Sequence, residues 1–108
     1  MPDFFDTELR VGEIVKAETF TEAKKPAYKL WINFGEALGI KTSSAQITSL
    51  YTTKMLIGKL VIAVTNLEPK QVGPFISEVL LLGVNGKNVG DIILIAPEDK
   101  ADIGNRVH

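Results

Sequence analysis

The stretch from Lys59 to Gly83, KLVIAVTNLEPKQVGPFISEVLLLG, holds two very apolar runs joined by a polar loop. The first run, Leu60 to Val64, is rich in β-branched residues and too short for a helix, so it predicts a strand covered on both faces. The second run, Ile76 to Leu82, has the same character and predicts another buried strand. The loop between them contains residues typical of turns, which exclude one continuous element: Asn66, Pro69, Gly73 and Pro74. Because binding residues often lie on loops held by rigid strands, this loop is a candidate site.

The composition predicts one globular domain over residues 1–108, with 45% hydrophobic and 23% charged residues in 11.8 kDa. The chain has no cysteine, which excludes disulfides, and its one histidine is His108, so we expect no metal site and no cofactor. The acidic N-terminus does not have the pattern of a signal peptide, and no 18-residue apolar stretch occurs. We therefore expect a cytoplasmic protein that does not insert into a membrane.

The charges are unevenly distributed along the sequence. The net charge is −1, yet the segment from Lys24 to Lys70 carries seven lysines against Glu36 and Glu68, a balance of +5. The remaining residues therefore sum to −6. A basic middle with acidic ends predicts either a positive surface patch or lysines that cluster only in sequence.

Alternating and apolar segments predict the other strands. Leu9 to Phe20 is typical of a long strand, and Gly12 within it indicates a bulge or bend. Tyr28 to Phe34 alternates, so Trp31 is expected on the polar face with Lys29. A tryptophan there suits a ligand surface or a subunit interface, and the alternative is that another segment covers it.

Shorter segments complete the predicted order of secondary-structure elements. Ile40 to Ile47 is a polar strand, Thr48 to Ile57 has the spacing of one or two helical turns, and Asn85-Gly86 predicts a tight turn before a last strand at Ile92 to Ala96. Five or six strands with a short helix before the fourth indicate an all-β fold, a five-stranded Greek-key barrel of the OB type. Periodicity by itself leaves a β-sandwich open.

Both ends of the chain are predicted to take part in dimerisation. Phe4 and Phe5 would each cost about 2 kcal/mol to expose, so they are expected to anchor a short capped turn on the body or on a second subunit. The N-terminal extension is residues 1–8 and the C-terminal extension is residues 84–108.

The sequence predicts that the protein is not an enzyme. No internal histidine or cysteine is available as a base or nucleophile. The stretch GVNGKNVG, from Gly83 to Gly90, differs from a phosphate-binding loop, because asparagine follows Lys87 and the leading glycine is replaced by Leu81. We interpret it as a turn.

Residues suited to binding are concentrated after Asn66. Lys70 can contact phosphate, Phe75 can stack on a base or an apolar side chain, and Ser77 and Glu78 can accept hydrogen bonds. For Phe75 the alternative is a core position. For Glu78 the alternative is a structural bond to backbone amides, because a buried carboxylate needs partners.

These segments resemble a known family. LRVGEIVKAETF (9–20), KLVIAVTNLEPKQ (59–71) and SEVLLLG (77–83) resemble the tRNA-binding domain of dimeric tRNA-binding proteins and of some aminoacyl-tRNA synthetases. In that family an Asn-x-x-Pro loop leads to Ser-Glu and an apolar strand, matched here by Asn66, Pro69, Ser77 and Glu78. The usual Ser-Glu-Gly-Met continuation is Ser-Glu-Val-Leu here. That difference, with KPAYKLWINFG (25–35) and GIKTSSAQIT (39–48), is similar to the CsaA branch of secretion-related chaperones.

The resemblance implies an OB-fold homodimer that binds unfolded or export-bound polypeptides in the cytosol without nucleotide hydrolysis. For peptide binding we predict Trp31, Phe75, Lys29, Lys70, Ser77 and Glu78. The alternative is a tRNA-binding protein that uses the same surface. For that function we predict Lys24, Lys25, Lys29, Lys41, Ser43, Ser44, Gln46, Asn66 and Lys70.

Overall fold

The computed structural model describes residues 6–108, so the predicted roles of Phe4 and Phe5 lie outside the described residues. Within that range the strands are β1 (Leu9–Thr19), β2 (Tyr28–Asn33), β3 (Ile40–Ala45), β4 (Leu60–Val64), β5 (Lys70–Val72), β6 (Phe75–Ser77), β7 (Leu80–Leu81), β8 (Gly83–Asn85) and β9 (Ile92–Leu94). The helix α1 (Thr53–Leu56) precedes β4 and is capped by Thr52, whose Oγ1 accepts from the N–H of Met55. No helix in this range is long and apolar enough to cross a membrane.

The main sheet has the strand order β3-β2-β1-β4-β7 and curls into a nearly closed five-stranded barrel with one short helix among the described residues. The long strand β1 makes this curvature possible because it pairs with β4 through residues 9–13 and with β2 through residues 13–19. The predicted OB-type fold is confirmed.

The bulge in β1 lies between Ile14 and Lys16, not at Gly12 as the sequence suggested. Gly12 has a different role. A Cβ atom at this position would lie 2.5 Å from Cγ2 of Ile32 and 2.7 Å from Cε1 of Phe34. The glycine therefore allows β1 to approach the core side chains of β2 closely.

The predicted alternation in β2 is confirmed. Leu30, Ile32 and Phe34 are buried in the core, while Lys29 and Trp31 lie on the opposite face. The prediction for β4 is confirmed as well, because its residues from Val61 to Val64 are all buried.

The second apolar run, Ile76 to Leu82, is not one buried strand. It divides into β6 and β7, and Ile76 and Leu80 are each 52% exposed. The division occurs at Glu78 and Val79, whose N–H groups both donate to the carbonyl oxygen of Thr42 in β3, at 2.8 and 3.2 Å. These two bonds turn the chain from the β5–β6 hairpin across the barrel to β4.

The C-terminal strands also differ in detail from the prediction. Asn85 and Gly86 do not form a two-residue turn: residues 86–91 form the loop between β8 and β9, with the Gly86 N–H donating to Asp91 at 2.7 Å. The last strand ends at Leu94 rather than Ala96. Further on, the N–H of Val107 donates to the carbonyl of Leu9 in β1.

A charged cluster holds both terminal segments against β1 and β4. The Glu8 carboxylate accepts from Arg10 and from Oγ1 of Thr65, and Arg10 also donates to the carbonyl of Gly104 at 2.7 Å. The side chain of Asn66 completes the cluster, because its Oδ1 accepts from the Glu8 N–H at 2.9 Å.

We expect this cluster to make the stability depend on pH. The hydrogen bond from Arg10, followed by that from Thr65, lowers the pKa of Glu8 below its ordinary value of 4.5. The folded-state pKa is depressed, so the stabilisation is complete above pH 4.5 and is lost as the pH falls through the folded-state value. Urea unfolding of the wild type and of Glu8→Gln should therefore differ near neutral pH and converge in acid. A constant difference across the series would contradict this role.

Candidate ligand-binding face and groove

Three aromatic rings meet on the outer face of the barrel, and we define them as the aromatic cluster. Phe20 lies at the end of β1, Trp31 on the outward face of β2, and Phe75 at the start of β6. The Phe75 centroid lies 5.6 Å from that of Phe20 and 5.7 Å from that of Trp31, both with edge-to-face geometry. Phe20 is buried, whereas Trp31 and Phe75 are partly exposed. A ligand on this face can therefore reach two of the three rings.

Two lysines cover the cluster, and both pair with the same carboxylate. Nζ of Lys16 lies 4.6 Å from the Trp31 ring centroid, and Nζ of Lys29 lies 5.7 Å from Phe20 and 5.9 Å from Phe75. Glu18 pairs with Lys16 at 3.2 Å and with Lys29 at 3.7 Å. The charges on this face are thus partly balanced within the protein, and the rings are its distinctive feature.

Ser77 and Glu78 make structural contacts. Oγ of Ser77 accepts from the N–H of Ser44 at 3.1 Å. The Glu78 carboxylate accepts from the N–H of Thr42 at 3.1 Å and from its Oγ1 at 2.9 Å, and it lies 3.9 Å from Nζ of Lys41. Both residues thus fasten the β5–β6 hairpin to β3, which holds Phe75 against Trp31.

The β5–β6 hairpin also borders a groove of about 970 Å³. Its walls are the β1–β2 loop, the end of β3, the β5–β6 hairpin, β7 and the C-terminal hairpin. Its lining residues include Lys24, Lys25, Ser44, Gln46, Lys70, Leu80, Leu81, Ile92 and Leu94. This volume is at the upper end of the range for small-ligand pockets, about 300–1,000 Å³. It is large enough for several side chains.

The groove collects five of the residues predicted for nucleic-acid binding, namely Lys24, Lys25, Ser44, Gln46 and Lys70. The other four lie elsewhere. Lys29 covers the aromatic cluster, Lys41 pairs with Glu78, and Ser43 is fully buried in the barrel. Asn66 holds the N-terminal segment, accepting from Glu8 and donating to Asp6.

Three residues at this face were not predicted from the sequence: Phe20, which is one of the three rings, and Lys16 and Glu18, which lie beside them. The apolar floor of the groove was not predicted either. Lys16 and Glu18 are two residues apart in β1, so alternation could have indicated that they share a face. The bulge at Val15, however, shifts the register of β1 against β2, and the sequence does not reveal which β2 residues they lie beside. Among residues 6–108, no three side chains of the metal-binding types lie together.

Comparison with known proteins places this barrel in a family. The family described as "Putative tRNA binding domain" matches residues 9–106. The chain is 38% identical over 106 residues to a methionine–tRNA ligase of Sorangium cellulosum and 31% identical over 105 residues to that of Bdellovibrio bacteriovorus, covering 98% and 97% of this chain. It spans only about 15% of the length of each ligase.

Solved structures match over the whole chain. The chaperone CsaA of Bacillus anthracis is 44% identical, with a TM-score of 0.89 and coverage of 100% of this chain and 99% of that protein. The CsaA chaperone protein of Picrophilus torridus is 43% identical, with a TM-score of 0.88 and full coverage of both chains. The chain therefore belongs to the tRNA-binding domain family, and its resemblance to the CsaA branch is confirmed.

Proposed function

We propose that this protein is an export-related chaperone that binds unfolded or precursor polypeptides in the cytoplasm, without nucleotide hydrolysis. The observation that carries the proposal is the aromatic cluster together with the apolar-floored groove, to both of which residues of the β5–β6 hairpin contribute. Aromatic rings beside apolar surface suit varied unfolded segments, because burial of apolar side chains requires little directional geometry. The full-length similarity to two proteins described as CsaA chaperones supports it.

A second candidate function is tRNA binding. It is favoured by Lys24, Lys25 and Lys70, which line the groove and form no ion pair with a described residue. The family description favours it as well. Against it, Lys16, Lys29 and Lys41 are paired with Glu18 or Glu78, and the net charge is −1. Fewer free cations therefore remain for phosphates.

Salt titration distinguishes the two functions. Binding of an uncharged apolar peptide should change little with salt, or strengthen in sulfate, because apolar burial dominates. Binding of tRNA should weaken by about 0.7–0.9 log units per log unit of salt for each phosphate contact. Fluorescence anisotropy with each labelled ligand measures both slopes. Peptide that fails to bind, together with tight and steeply salt-dependent tRNA binding, would favour the second function.

We further propose that the protein is a homodimer built through the extensions at residues 1–8 and 84–108. An exposed apolar stripe on the C-terminal hairpin supports this interface. Val84 and Ile93 are cross-strand partners, 52% and 45% exposed, and Ile95 is 39% exposed.

Replacing Ile93 by aspartate should place charges in such an interface and convert a dimer into a monomer. Sedimentation velocity at micromolar concentration measures the change. Met55→Asp, which alters an apolar residue on α1 that is exposed to a greater extent than Ile93, is the matched control. A wild-type protein that sediments as a monomer would contradict the proposal.

A further inference from the structure

We infer that the groove binds polypeptide by β-strand addition: an extended segment pairs with the main chain of Gln46, the residue that follows β3, and directs carboxylates toward Lys24, Lys25 and Lys70. This inference rests on the proposed chaperone function. It specifies how the polypeptide is held and which segments are preferred.

The edge of β3 is closed only along part of its length. β3 is the terminal strand of the main sheet in the part of the chain that the structure describes. The N–H groups of Thr42 and Ser44 point away from β2 and are held by side chains, Oε1 of Glu78 and Oγ of Ser77. The carbonyl of Thr42 accepts from Glu78 and Val79. The β5–β6 hairpin therefore covers this edge as far as Ser44.

Gln46 lies directly after the end of β3 and two residues after Ser44. It therefore continues the alternation of N–H groups set by Thr42 and Ser44. It is exposed, and no hydrogen bond joins its N–H or C=O to another residue between 6 and 108. Ser44 and Gln46 both line the groove. The unpaired main-chain groups of Gln46 continue the edge of β3 into the groove. Such groups are a template for an extended chain, whose main-chain bonds provide affinity with little dependence on sequence.

The rest of the groove fits the side chains of such a segment. Successive residues of a strand point to opposite faces, so one set can contact the apolar floor at Leu80 and Ile92. The other set faces the rim, where Lys24, Lys25 and Lys70 outnumber Glu22 and have no carboxylate partner among the described residues. Charge complementarity therefore favours segments that combine apolar and acidic residues, and disfavours basic ones.

N-methylated peptides test the binding mode. The probe is a peptide of about eight residues with alternating valine and glutamate, about 26 Å long when extended. Two modified forms carry N-methyl groups on all the valine amides or on all the glutamate amides. In a strand these two sets of N–H groups point to opposite edges. We expect one form to lose at least about tenfold in affinity and the other to remain within about twofold, as measured by calorimetry.

Two variants test whether the peptide pairs with the main chain of Gln46. Gln46→Pro removes one edge N–H and should weaken binding of the unmodified peptide by about fivefold, since an edge position tolerates proline. Gln46→Ala removes the same side chain but keeps the N–H, so Gln46→Pro should bind the peptide about fivefold more weakly than Gln46→Ala does. Thermal unfolding of both variants establishes that the fold is intact. A valine–lysine peptide should bind at least about tenfold more weakly than the valine–glutamate peptide.

The outcomes separate this inference from the function on which it rests. If no unmodified peptide of either charge binds, the proposed chaperone function is wrong and the inference falls with it. If the unmodified peptide binds but both methylated forms bind equally well, strand addition is wrong and the chaperone function stands. Equal affinity of Gln46→Pro and Gln46→Ala would overturn the placement at Gln46, and equal affinity for acidic and basic peptides would overturn the role of the lysines.

Discussion

Replacing Trp31 by alanine is expected to weaken the binding of unfolded polypeptide by on the order of 30-fold, equivalent to about 2 kcal/mol, if Trp31 acts as an interface hot spot. Trp31 is the largest partly exposed ring of the aromatic cluster, and it lies beside Phe75 at 5.7 Å. Because Nζ of Lys16 covers this ring from an exposed side chain, a ligand can displace the lysine at little cost. Anisotropy with a labelled unfolded peptide measures the loss.

Phe75→Ala should give a smaller loss, since Phe75 packs partly on the buried Phe20. Ile57→Ala is the matched control, because this residue is also exposed and apolar but follows α1 and belongs neither to the cluster nor to the lining of the groove. Circular dichroism and thermal unfolding would check that each variant is folded. Unchanged peptide affinity in both Trp31→Ala and Phe75→Ala would show that the ligand binds elsewhere.

Replacing Gly12 should have the largest effect on stability. A glycine within a strand normally costs about 0.5–1 kcal/mol relative to alanine, so Gly12→Ala would stabilise an uncrowded strand. Here the new Cβ would lie 2.5 Å from Ile32 and 2.7 Å from Phe34, both of which are fixed in the core. Overpacking of this kind costs about 1–3 kcal/mol. We therefore expect net destabilisation by about 2 kcal/mol and a decrease in Tm on the order of 10 °C.

Gly12→Val provides a graded comparison, since its larger side chain should destabilise the barrel more than alanine does. Urea and thermal unfolding of the three proteins measure the series. An increase in the free energy of unfolding for Gly12→Ala would mean that β1 shifts to make room, and it would contradict the close approach of β1 to β2.

The candidate site was only partly predictable from sequence. Alternation in β2 predicted Trp31 and Lys29 on one face, and in the structure both lie beside Phe75. Ser77 and Glu78 were predicted from chemistry that suits a ligand equally well, and only their distances to Ser44 and Thr42 reveal that they fasten the hairpin. A carboxylate can bind a ligand or make a structural hydrogen bond, and the sequence alone does not distinguish these roles. Only the partners of the carboxylate in the folded structure do.

Strands β1 to β4, the short helix and the alternation that divides core from surface were predictable from the sequence, because these follow from periodicities of two or about four residues within one segment. The break at Glu78, the bulge between Ile14 and Lys16, and the groove became apparent only from the folded structure. Each depends on contacts between residues far apart in the chain, such as Thr42 with Glu78 or Ser44 with Ser77. These contacts depend on which residues of distant strands come within hydrogen-bond distance when the barrel closes. The local sequence of either strand does not encode that register.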